Sequence, residues 1–232
     1  MKMIVNPKYE RLRSYLRAIN VHFEHEGREI HSGRNIIKTL RVNGLTLCVK
    51  RYAPPSLRGR LACALYKSSK ARRAYMAPLL LRERGFESPE PVAFVTYRTG
   101  LLKSSSYFIC LQSDYRHSMC DVETLPPAER TEVVHAFARF AARLHEDGFL
   151  HRDFSSGNIL YDRRGDRLHF ALVDTNTVRC GRAVSIEKGC SNLAHLSGSP
   201  AFFHELAAVY AAERGADAVR CENLIRRART AR

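Results

Sequence analysis

The chain has no tryptophan, few acidic residues and no long apolar run. Of its 232 residues, 23 are Asp or Glu and 38 are Lys or Arg, so the formal net charge is +15. Its apolar stretches are too short to cross a bilayer. No secretory leader is evident, because the short apolar patch at Met1–Pro7 is followed at once by charged residues. We therefore expect a cytoplasmic protein of one domain, or of two small lobes that share a cleft.

The cysteines are dispersed and lack the spacing of a metal site. No Cys-x-x-Cys pair occurs among the seven, and no His stands at ligand spacing beside them. They are Cys48, Cys63, Cys110, Cys120, Cys180, Cys190 and Cys221. We expect reduced thiols in a cytosolic compartment and no cysteine-based metal centre.

One segment carries a pattern of catalytic residues. Residues 150–160 contain His151, Asp153 and Asn158 between apolar flanks, and Asp174 follows a second apolar run. Phosphoryl transfer needs a hydroxyl held in line and metal ions that neutralise charge on the phosphate oxygens. An isolated His-x-Asp is often only a surface loop in which the Asp caps a turn. Asn158 and Asp174 favour the catalytic loop and metal-binding Asp of a kinase-fold phosphotransferase.

These residues have separate predicted roles. Asp153 would accept the proton of the acceptor hydroxyl or orient it, while Asn158 and Asp174 would bind Mg²⁺. His151 would hold the loop by hydrogen-bonding backbone. Apolar runs at Ile159–Tyr161 and 168–173, around a turn at 162–166, predict a β-hairpin that returns the second acid to the first.

A helix and a strand complete the predicted framework. Pro127–Glu146 is amphipathic and should support the catalytic loop. Its predicted apolar face is Val133, Ala136, Phe137, Phe140, Ala141 and Leu144. Upstream, the apolar strand 46–52 contains Lys50, our candidate for the α- and β-phosphates of the donor. The alternative is a strand that simply ends in solvated Lys50 and Arg51.

The predicted fold is α+β and two-lobed, like that of protein kinases. A small β-rich N-lobe would span residues 1–112, and a reduced helical C-lobe would span residues 113–232. Residues 101–112 would form the last strand of the N-lobe. Residues 113–115 would be the hinge beside adenine.

The chain resembles the Kdo/WaaP lipopolysaccharide kinase family of small kinase-like enzymes. The resemblance covers roughly residues 20–215 and rests on five segments: Val49–Tyr52, Lys70–Tyr75, Arg84–Ala93, Arg143–Asp153 and Val173–Asn176. It implies an ATP donor and, as acceptor, a sugar hydroxyl of the lipopolysaccharide inner core, Kdo or heptose, on a lipid A-linked glycan.

Several positions depart from the protein-kinase pattern. Ser155 stands where protein Ser/Thr kinases have Lys, and residues 175–176 are Thr-Asn in place of Phe-Gly. The predicted helix 70–84 has Ala74, Tyr75 and Met76 where a Glu should pair with Lys50, and Pro78 inside it. The phosphate-covering loop is poor in glycine. Ser155 and the Thr-Asn pair favour a small or lipid-linked acceptor over a protein, whereas the missing Glu and the Gly-poor loop weaken the case for activity. The alternatives are a pseudokinase-like binding or regulatory protein and a small atypical kinase for a protein or RNA-associated substrate.

The positive charge predicts an anionic partner. Two basic clusters stand out in the sequence: Arg58, Arg60, Lys67, Lys70, Arg72 and Arg73, and Arg226, Arg227, Arg229 and Arg232. Each such residue near an anionic leaflet contributes roughly 1 kcal/mol, enough together for peripheral contact with the inner membrane. The alternative for either cluster is a solvated helix face or a frayed tail. We do not expect nucleic-acid binding, because no recognition motif accompanies the charge.

Overall fold

The computed structural model describes residues 1–53, 70–99 and 102–231, which form two compact units. The N-terminal unit is Met1–Arg82 with Pro89–Asp114, and the C-terminal unit is Glu83–Ser88 with Tyr115–Arg232. The functional lobes 1–112 and 113–232 stay a prediction. Several residues discussed above lie outside the described ranges: Arg58, Arg60, Cys63, Lys67, Leu101 and Arg232.

The N-terminal unit is built on one antiparallel sheet. Its six strands lie in the order β1-β5-β6-β4-β3-β2. The elements are β1 (Lys2–Val5), α1 (Arg13–Arg17), α2 (Ile19–His25), β2 (Arg28–His31), β3 (Ile36–Val42), β4 (Leu45–Tyr52), α3 (Lys70–Glu83), β5 (Pro91–Thr99) and β6 (Leu102–Leu111). A 3₁₀ turn at Pro7–Leu12 precedes α1.

The strand that carries Lys50 is central in this sheet. It is β4, which pairs with β3 through a tight turn at Asn43 and Gly44. Both turn residues have positive φ, 48° and 76°. That conformation matches the twist of a two-residue hairpin, and Asn-Gly is a sequence that adopts it readily. The turn therefore sets the register of β4 from local sequence.

The two faces of the sheet are covered differently, because side chains alternate along β4. Leu47 and Val49 lie in the main core of the unit, together with Phe23 from α2 and Ile109 from β6. On the other face, Tyr52 packs in a smaller cluster against α3. Full burial of such side chains contributes about 1.5–3 kcal/mol each, so both layers stabilise the position of β4.

The C-terminal unit is mainly helical. A three-stranded sheet has the order β10-β9-β7, and β8 pairs with β11. The elements are β7 (His117–Ser118), α4 (Pro127–Glu146), β8 (Phe149–His151), β9 (Ile159–Arg164), β10 (Arg167–Leu172), β11 (Val178–Cys180), α5 (Ile186–Leu193), α6 (Pro200–Glu213) and α7 (Ala218–Thr230). In the described part of the chain, no helix is both long and apolar enough to cross a membrane.

The predicted supporting helix is confirmed as α4, with the bounds expected from sequence. The Phe137 ring lies 5.9 Å from that of Phe154 in the loop after β8 and 5.6 Å from that of Phe170 on β10. Ala136 and Phe140 are only partly buried, whereas Val134 and Ala138 are fully buried. The buried face is rotated from the predicted stripe because α6 also packs on this helix.

The predicted hairpin is confirmed, but its turn is shorter than expected. Strands β9 and β10 pair from Leu172 opposite Ile159 to Arg167 opposite Arg164, which leaves a two-residue turn. Asp162, Arg163 and Arg164, predicted in the turn, belong to β9. Cross-strand pairing overrides their weak strand propensity, and Arg116 makes two hydrogen bonds to the Asp162 carboxylate.

Gly148, immediately before β8, should not tolerate a side chain. Its φ is +79°, and an added Cβ would overlap the carbonyl oxygen of Gly181. Gly165 has φ +60° but open space around it, so Gly165→Ala should cost only the strain of about 1–2 kcal/mol. We expect Gly148→Ala to lower the free energy of unfolding by clearly more than Gly165→Ala, as measured by urea denaturation. Equal losses would contradict the close approach to Gly181.

Candidate active site

The loop between β8 and β9 brings three of the predicted site residues together. His151 ends β8, and Asp153 follows in the loop. Asn158 closes a short 3₁₀ turn, Ser156–Asn158, before β9 begins. His151 is fully buried, Asn158 is partly buried and Asp153 is exposed. The carboxylate of Asp153 is therefore accessible to an acceptor, while the imidazole of His151 is not.

His151 joins the loop to the segment that carries Asp174. The backbone N–H of Asp153 donates to His151 Nδ1 at 3.2 Å. Nε2 must then carry the proton of the neutral ring, and it donates to the carbonyl oxygen of Val173 at 3.0 Å. Burial lowers the pKa of His151 and so favours this neutral form. The expected structural role of His151 follows from these contacts.

Asn158 is oriented by its own loop. Its side-chain Nδ2 donates to the backbone carbonyl oxygen of Asp153 at 2.9 Å. Its backbone carbonyl oxygen accepts from the backbone N–H of Val173 at 3.0 Å. The side-chain Oδ1 consequently points away from the Asp153 carbonyl. Asn158 is thus connected to both the Asp153 and the Asp174 segments. An amide oxygen held in this way is a suitable ligand for a hard cation.

Asp174 lies in a strained backbone conformation. Its φ and ψ are 51° and 43°, in the left-handed region, which costs a residue with a side chain roughly 1–2 kcal/mol. Asn176 Nδ2 donates to Asp174 Oδ1 and stabilises this conformation. Asn176, which stands where protein kinases have Gly, is thus a local structural partner of Asp174. Strain of this kind is typical of functional positions.

Behind the loop runs a chain of buried hydrogen bonds that the sequence did not predict. Asn192 Nδ2 donates to the carbonyl oxygen of His151 at 2.9 Å, so its Oδ1 is the acceptor for His145 Nε2 at 3.2 Å. His145 Nδ1 then accepts from the Tyr210 hydroxyl at 2.9 Å. Arg214 Nη1 donates to that same hydroxyl at 2.9 Å. Each donor is matched to one acceptor, from Arg214 to the carbonyl oxygen of His151, where the loop that carries Asp153 begins.

Neither Asn192 nor Tyr210 had a sequence signal. His145 lies in the segment Arg143–Asp153 that suggested the family. The pattern of α4 nevertheless indicated only an apolar face and no buried polar side chain. A buried polar residue is recognised by its partners, and these partners lie 47 and 65 residues away along the chain.

Lys50 belongs to the N-terminal unit, and its role stays a prediction. It is partly buried on β4, opposite Phe108 of β6, with Nζ 5.5 Å from the centre of the Tyr52 ring. The helix expected to supply its acidic partner is present as α3, and Glu83 at its last position is the one acid in its sequence. The expected absence of a Glu in the middle of this helix therefore also holds for the helix as it is folded.

The fit of a magnesium ion depends on Asn158 and Asp174. They offer an amide and a carboxylate oxygen, which Mg²⁺ prefers, and Mg²⁺ commonly takes only one or two carboxylates beside substrate phosphates. Across the described ranges, no group of three His, Cys, Asp or Glu side chains gathers as a metal site. The donor set fits an ion that is shared with a nucleotide.

The fold is that of a known kinase-like protein. A solved structure described as "WaaP in complex with acyl carrier protein" matches with a TM-score of 0.67 at 16% identity. The match covers 100% of this chain and 99% of that one. It confirms the predicted α+β, two-lobed kinase-like fold. No individually curated protein matches the chain by sequence.

The sequence comparison identifies the family. The model of the lipopolysaccharide kinase (Kdo/WaaP) family matches residues 64–199, more than half of the chain. The chain belongs to this family, and the predicted resemblance is confirmed. The protein that carries the Asp153 loop is therefore of the lipopolysaccharide kinase class.

The buried His145 should make stability depend on pH. Burial lowers its pKa to about 4, with the charge of Arg214 adding to the shift. In the unfolded chain the pKa of a histidine is near 6.5, so between this pH and about pH 4 the unfolded state binds a proton that the folded state does not. The free energy of unfolding therefore falls as the pH falls through this range. We expect His145 to lower the free energy of unfolding by roughly 2 kcal/mol between pH 7 and pH 5, as measured by urea denaturation.

His145→Gln is the matched variant, because its amide nitrogen can still donate to Asn192. It should lose this part of the pH dependence, whereas His204→Gln, at a histidine with an exposed side chain, should retain the wild-type slope. An unchanged slope in His145→Gln would show that His145 is not held neutral.

Proposed function

We propose that the protein transfers the γ-phosphoryl group of ATP to a sugar hydroxyl, of Kdo or heptose, in the lipopolysaccharide inner core. The observation that carries this proposal is the hydrogen-bonded unit formed by the His151–Asn158 loop and the Val173–Asp174 segment. It joins a proton acceptor to two oxygen ligands in the manner of a phosphotransferase. Family membership supports lipopolysaccharide as the acceptor.

Each residue has a proposed part in the reaction. Asp153, exposed at the loop, orients the acceptor hydroxyl and takes its proton. Asn158 and Asp174 hold magnesium, which when bound would neutralise charge that builds on the transferred group. Lys50 steadies the donor phosphates. His151 does not exchange a proton with substrate, because both ring nitrogens are engaged with backbone groups.

The pseudokinase alternative rests on the missing helix Glu. In protein kinases that Glu orients the phosphate-binding Lys, and α3 lacks a counterpart before its last residue. An intact catalytic loop argues against a purely regulatory protein. Nucleotide binding without turnover on any glycolipid would favour the pseudokinase, or an atypical kinase with a protein or RNA-associated substrate.

Removing the two acids should have different effects. Asp153→Ala should abolish phosphate transfer to lipid A-linked Kdo or core oligosaccharide while leaving Mg²⁺–ATP binding nearly intact. Asp174→Ala should abolish transfer and also weaken Mg²⁺–ATP binding by tenfold or more, because a metal ligand is lost. Radiolabel transfer and calorimetric titration measure the two effects.

Asp166→Ala is the control, since it makes the same change in the β9–β10 turn. It should behave as wild type in both assays. Turnover retained by purified Asp153→Ala would overturn the proposed mechanism.

We further propose that the protein works at the inner face of the inner membrane, where ATP and nascent lipopolysaccharide meet. The net charge of +15 favours an anionic surface. Arg226 and Arg227 are exposed on α7 and extend this charge.

The similar solved structure contains an acyl carrier protein. An acyl carrier protein is therefore a second partner to test for this chain, and it can be added to the transfer assay.

The double variant Arg226→Glu/Arg227→Glu should weaken binding to vesicles that contain anionic lipid by at least tenfold, because each basic residue contributes roughly 1 kcal/mol near such a surface. Co-sedimentation at low and high salt measures this. Arg11→Glu/Arg17→Glu makes the same charge change at exposed residues of the N-terminal unit and should bind more strongly than the α7 variant. Equal losses would mean that only net charge matters.

A further inference from the structure

Two cysteines face each other on neighbouring strands beside Lys50. Cys48 on β4 is paired directly with Cys110 on β6. Residues directly opposite in an antiparallel pair project from the same face, with Cβ atoms roughly 4.5–5.5 Å apart. The Cys110 Sγ lies 3.8 Å from the carbonyl oxygen of Cys48. Neither cysteine is in a disulfide bond.

The two thiols have different environments. Cys48 is partly exposed, whereas Cys110 is 6% exposed. A hydrogen bond from Cys110, supported by the positive charge of Lys50, lowers the pKa of Cys48 in spite of its burial. The same contact raises the pKa of Cys110. Cys48 is suited to attack, and Cys110 is placed to resolve the product.

A second pair of neighbouring cysteines lies in a different environment. Cys190 on α5 and Cys221 on α7 also contact each other, but both are 0% exposed. Burial raises the pKa of both thiols. These two should be inert, so they serve as an internal reference for the Cys48–Cys110 pair.

We propose that Cys48 and Cys110 form an oxidisable dithiol, a modification site at which hydroperoxides convert the pair to a disulfide. The Cys48 thiolate attacks the peroxide, the O–O bond breaks, and an alcohol or water leaves with Cys48 as the sulfenic acid. The Cys110 sulfur then attacks the sulfenic sulfur, the S–S bond forms, and water leaves. Two thiols and one hydroperoxide give one disulfide, one alcohol or water, and one further water.

The geometry makes this disulfide easy to reduce. A relaxed disulfide needs Cβ atoms about 3.5–4.5 Å apart, somewhat closer than directly opposed strand residues lie. The bond would form at the cost of strain in both strands. Strained disulfides are readily reduced and are typical of labile or regulatory sites. The modification should therefore be reversible by dithiothreitol.

The position of the pair links it to the nucleotide. Cys48 and Lys50 are two residues apart on one strand and project from the same face. Strain introduced at Cys48 would displace Lys50, so oxidation should weaken Mg²⁺–ATP binding. This consequence rests on the proposed function, whereas the disulfide itself does not.

Peptide mapping tests the disulfide directly. The reduced full-length protein is treated with hydrogen peroxide, its remaining thiols are alkylated, and it is digested with trypsin. The sequence places Cys48 in the peptide 42–50 and Cys110 in the peptide 104–116, each with a single cysteine. We expect these two peptides to be linked, with the loss of two hydrogens, while Cys190 and Cys221 stay reduced.

Three variants sharpen the test. Cys110→Ser should trap Cys48 as a sulfenic acid that dimedone labels, and Cys48→Ser should prevent oxidation of Cys110. Cys180→Ser, at an exposed cysteine on β11, should form the linked peptide as wild type does. Linkage of Cys48 to Cys63, or oxidation of Cys48 no faster than that of Cys180, would overturn the proposal.

A binding measurement then tests the nucleotide consequence. Oxidised wild type should bind Mg²⁺–ATP several-fold more weakly, dithiothreitol should restore the affinity, and peroxide-treated Cys110→Ser should lose less. Unchanged affinity with complete disulfide formation would overturn the link to Lys50 but leave the modification site standing. If reduced wild type binds no nucleotide, the proposed function fails, and peptide mapping still decides the modification site.

Discussion

The arrangement of the loop that carries Asp153 depends on two buried histidines that remain neutral. Because each neutral imidazole has one donor and one acceptor nitrogen, every hydrogen bond around His145 and His151 has a fixed direction. From Arg214 through Tyr210, His145 and Asn192, the donors lead to the carbonyl oxygen of His151. Protonation of His151 would place an N–H at Nδ1 against the backbone N–H of Asp153, so that two donors would face each other. Protonation of His145 would remove the acceptor that Nδ1 offers to the Tyr210 hydroxyl. The position of the loop is thus coupled to the charge state of residues that touch no substrate.

The two segments of the site are stabilised in different ways. The loop around Asp153 is supported by packing on α4 and by the buried hydrogen bonds that lead from Arg214 to His151. Asp174 is stabilised locally, by an amide two residues later that compensates for its left-handed backbone. Protein kinases place a Phe after the corresponding Asp, and its packing distinguishes active from inactive states. Here Thr175 and Asn176 follow, both are buried, and Asn176 donates a hydrogen bond to the Asp174 carboxylate.

The N-terminal unit has a different organisation. One face of its sheet is an apolar core against α1 and α2. The other face carries Cys48, Lys50 and Tyr52, of which Tyr52 packs against α3. A lysine, a reactive thiol and its buried partner are brought together by the two-residue period of two strands. Redox chemistry and phosphate binding would therefore share one surface, and a change at one group would affect the other.

Local sequence was sufficient wherever a period or a turn decides the structure. The amphipathic helical pattern predicted α4 with its bounds, and apolar runs predicted β4 and the β9–β10 hairpin. The residues of the loop, together with Lys50 and the family segments, predicted the kinase-like fold. The types and spacing of His151, Asp153, Asn158 and Asp174 also indicated one loop and one adjoining strand. The extent of β9 beyond Tyr161 was not predictable, because pairing with β10 and the contact of Asp162 with Arg116 are made across the chain.

What the sequence by itself determined is the class of chemistry and the elements that carry it, since both depend on residue types at short spacing. The tertiary structure alone decided which buried polar groups support those elements. Asn192 and Tyr210 give no local signal in the sequence. Cys48 and Cys110 are 62 residues apart along the chain and become neighbours only because β4 pairs with β6. The physical reason is that a hydrogen bond or a thiol pair acts over a few ångströms, and only the folded chain determines which distant residues come that close.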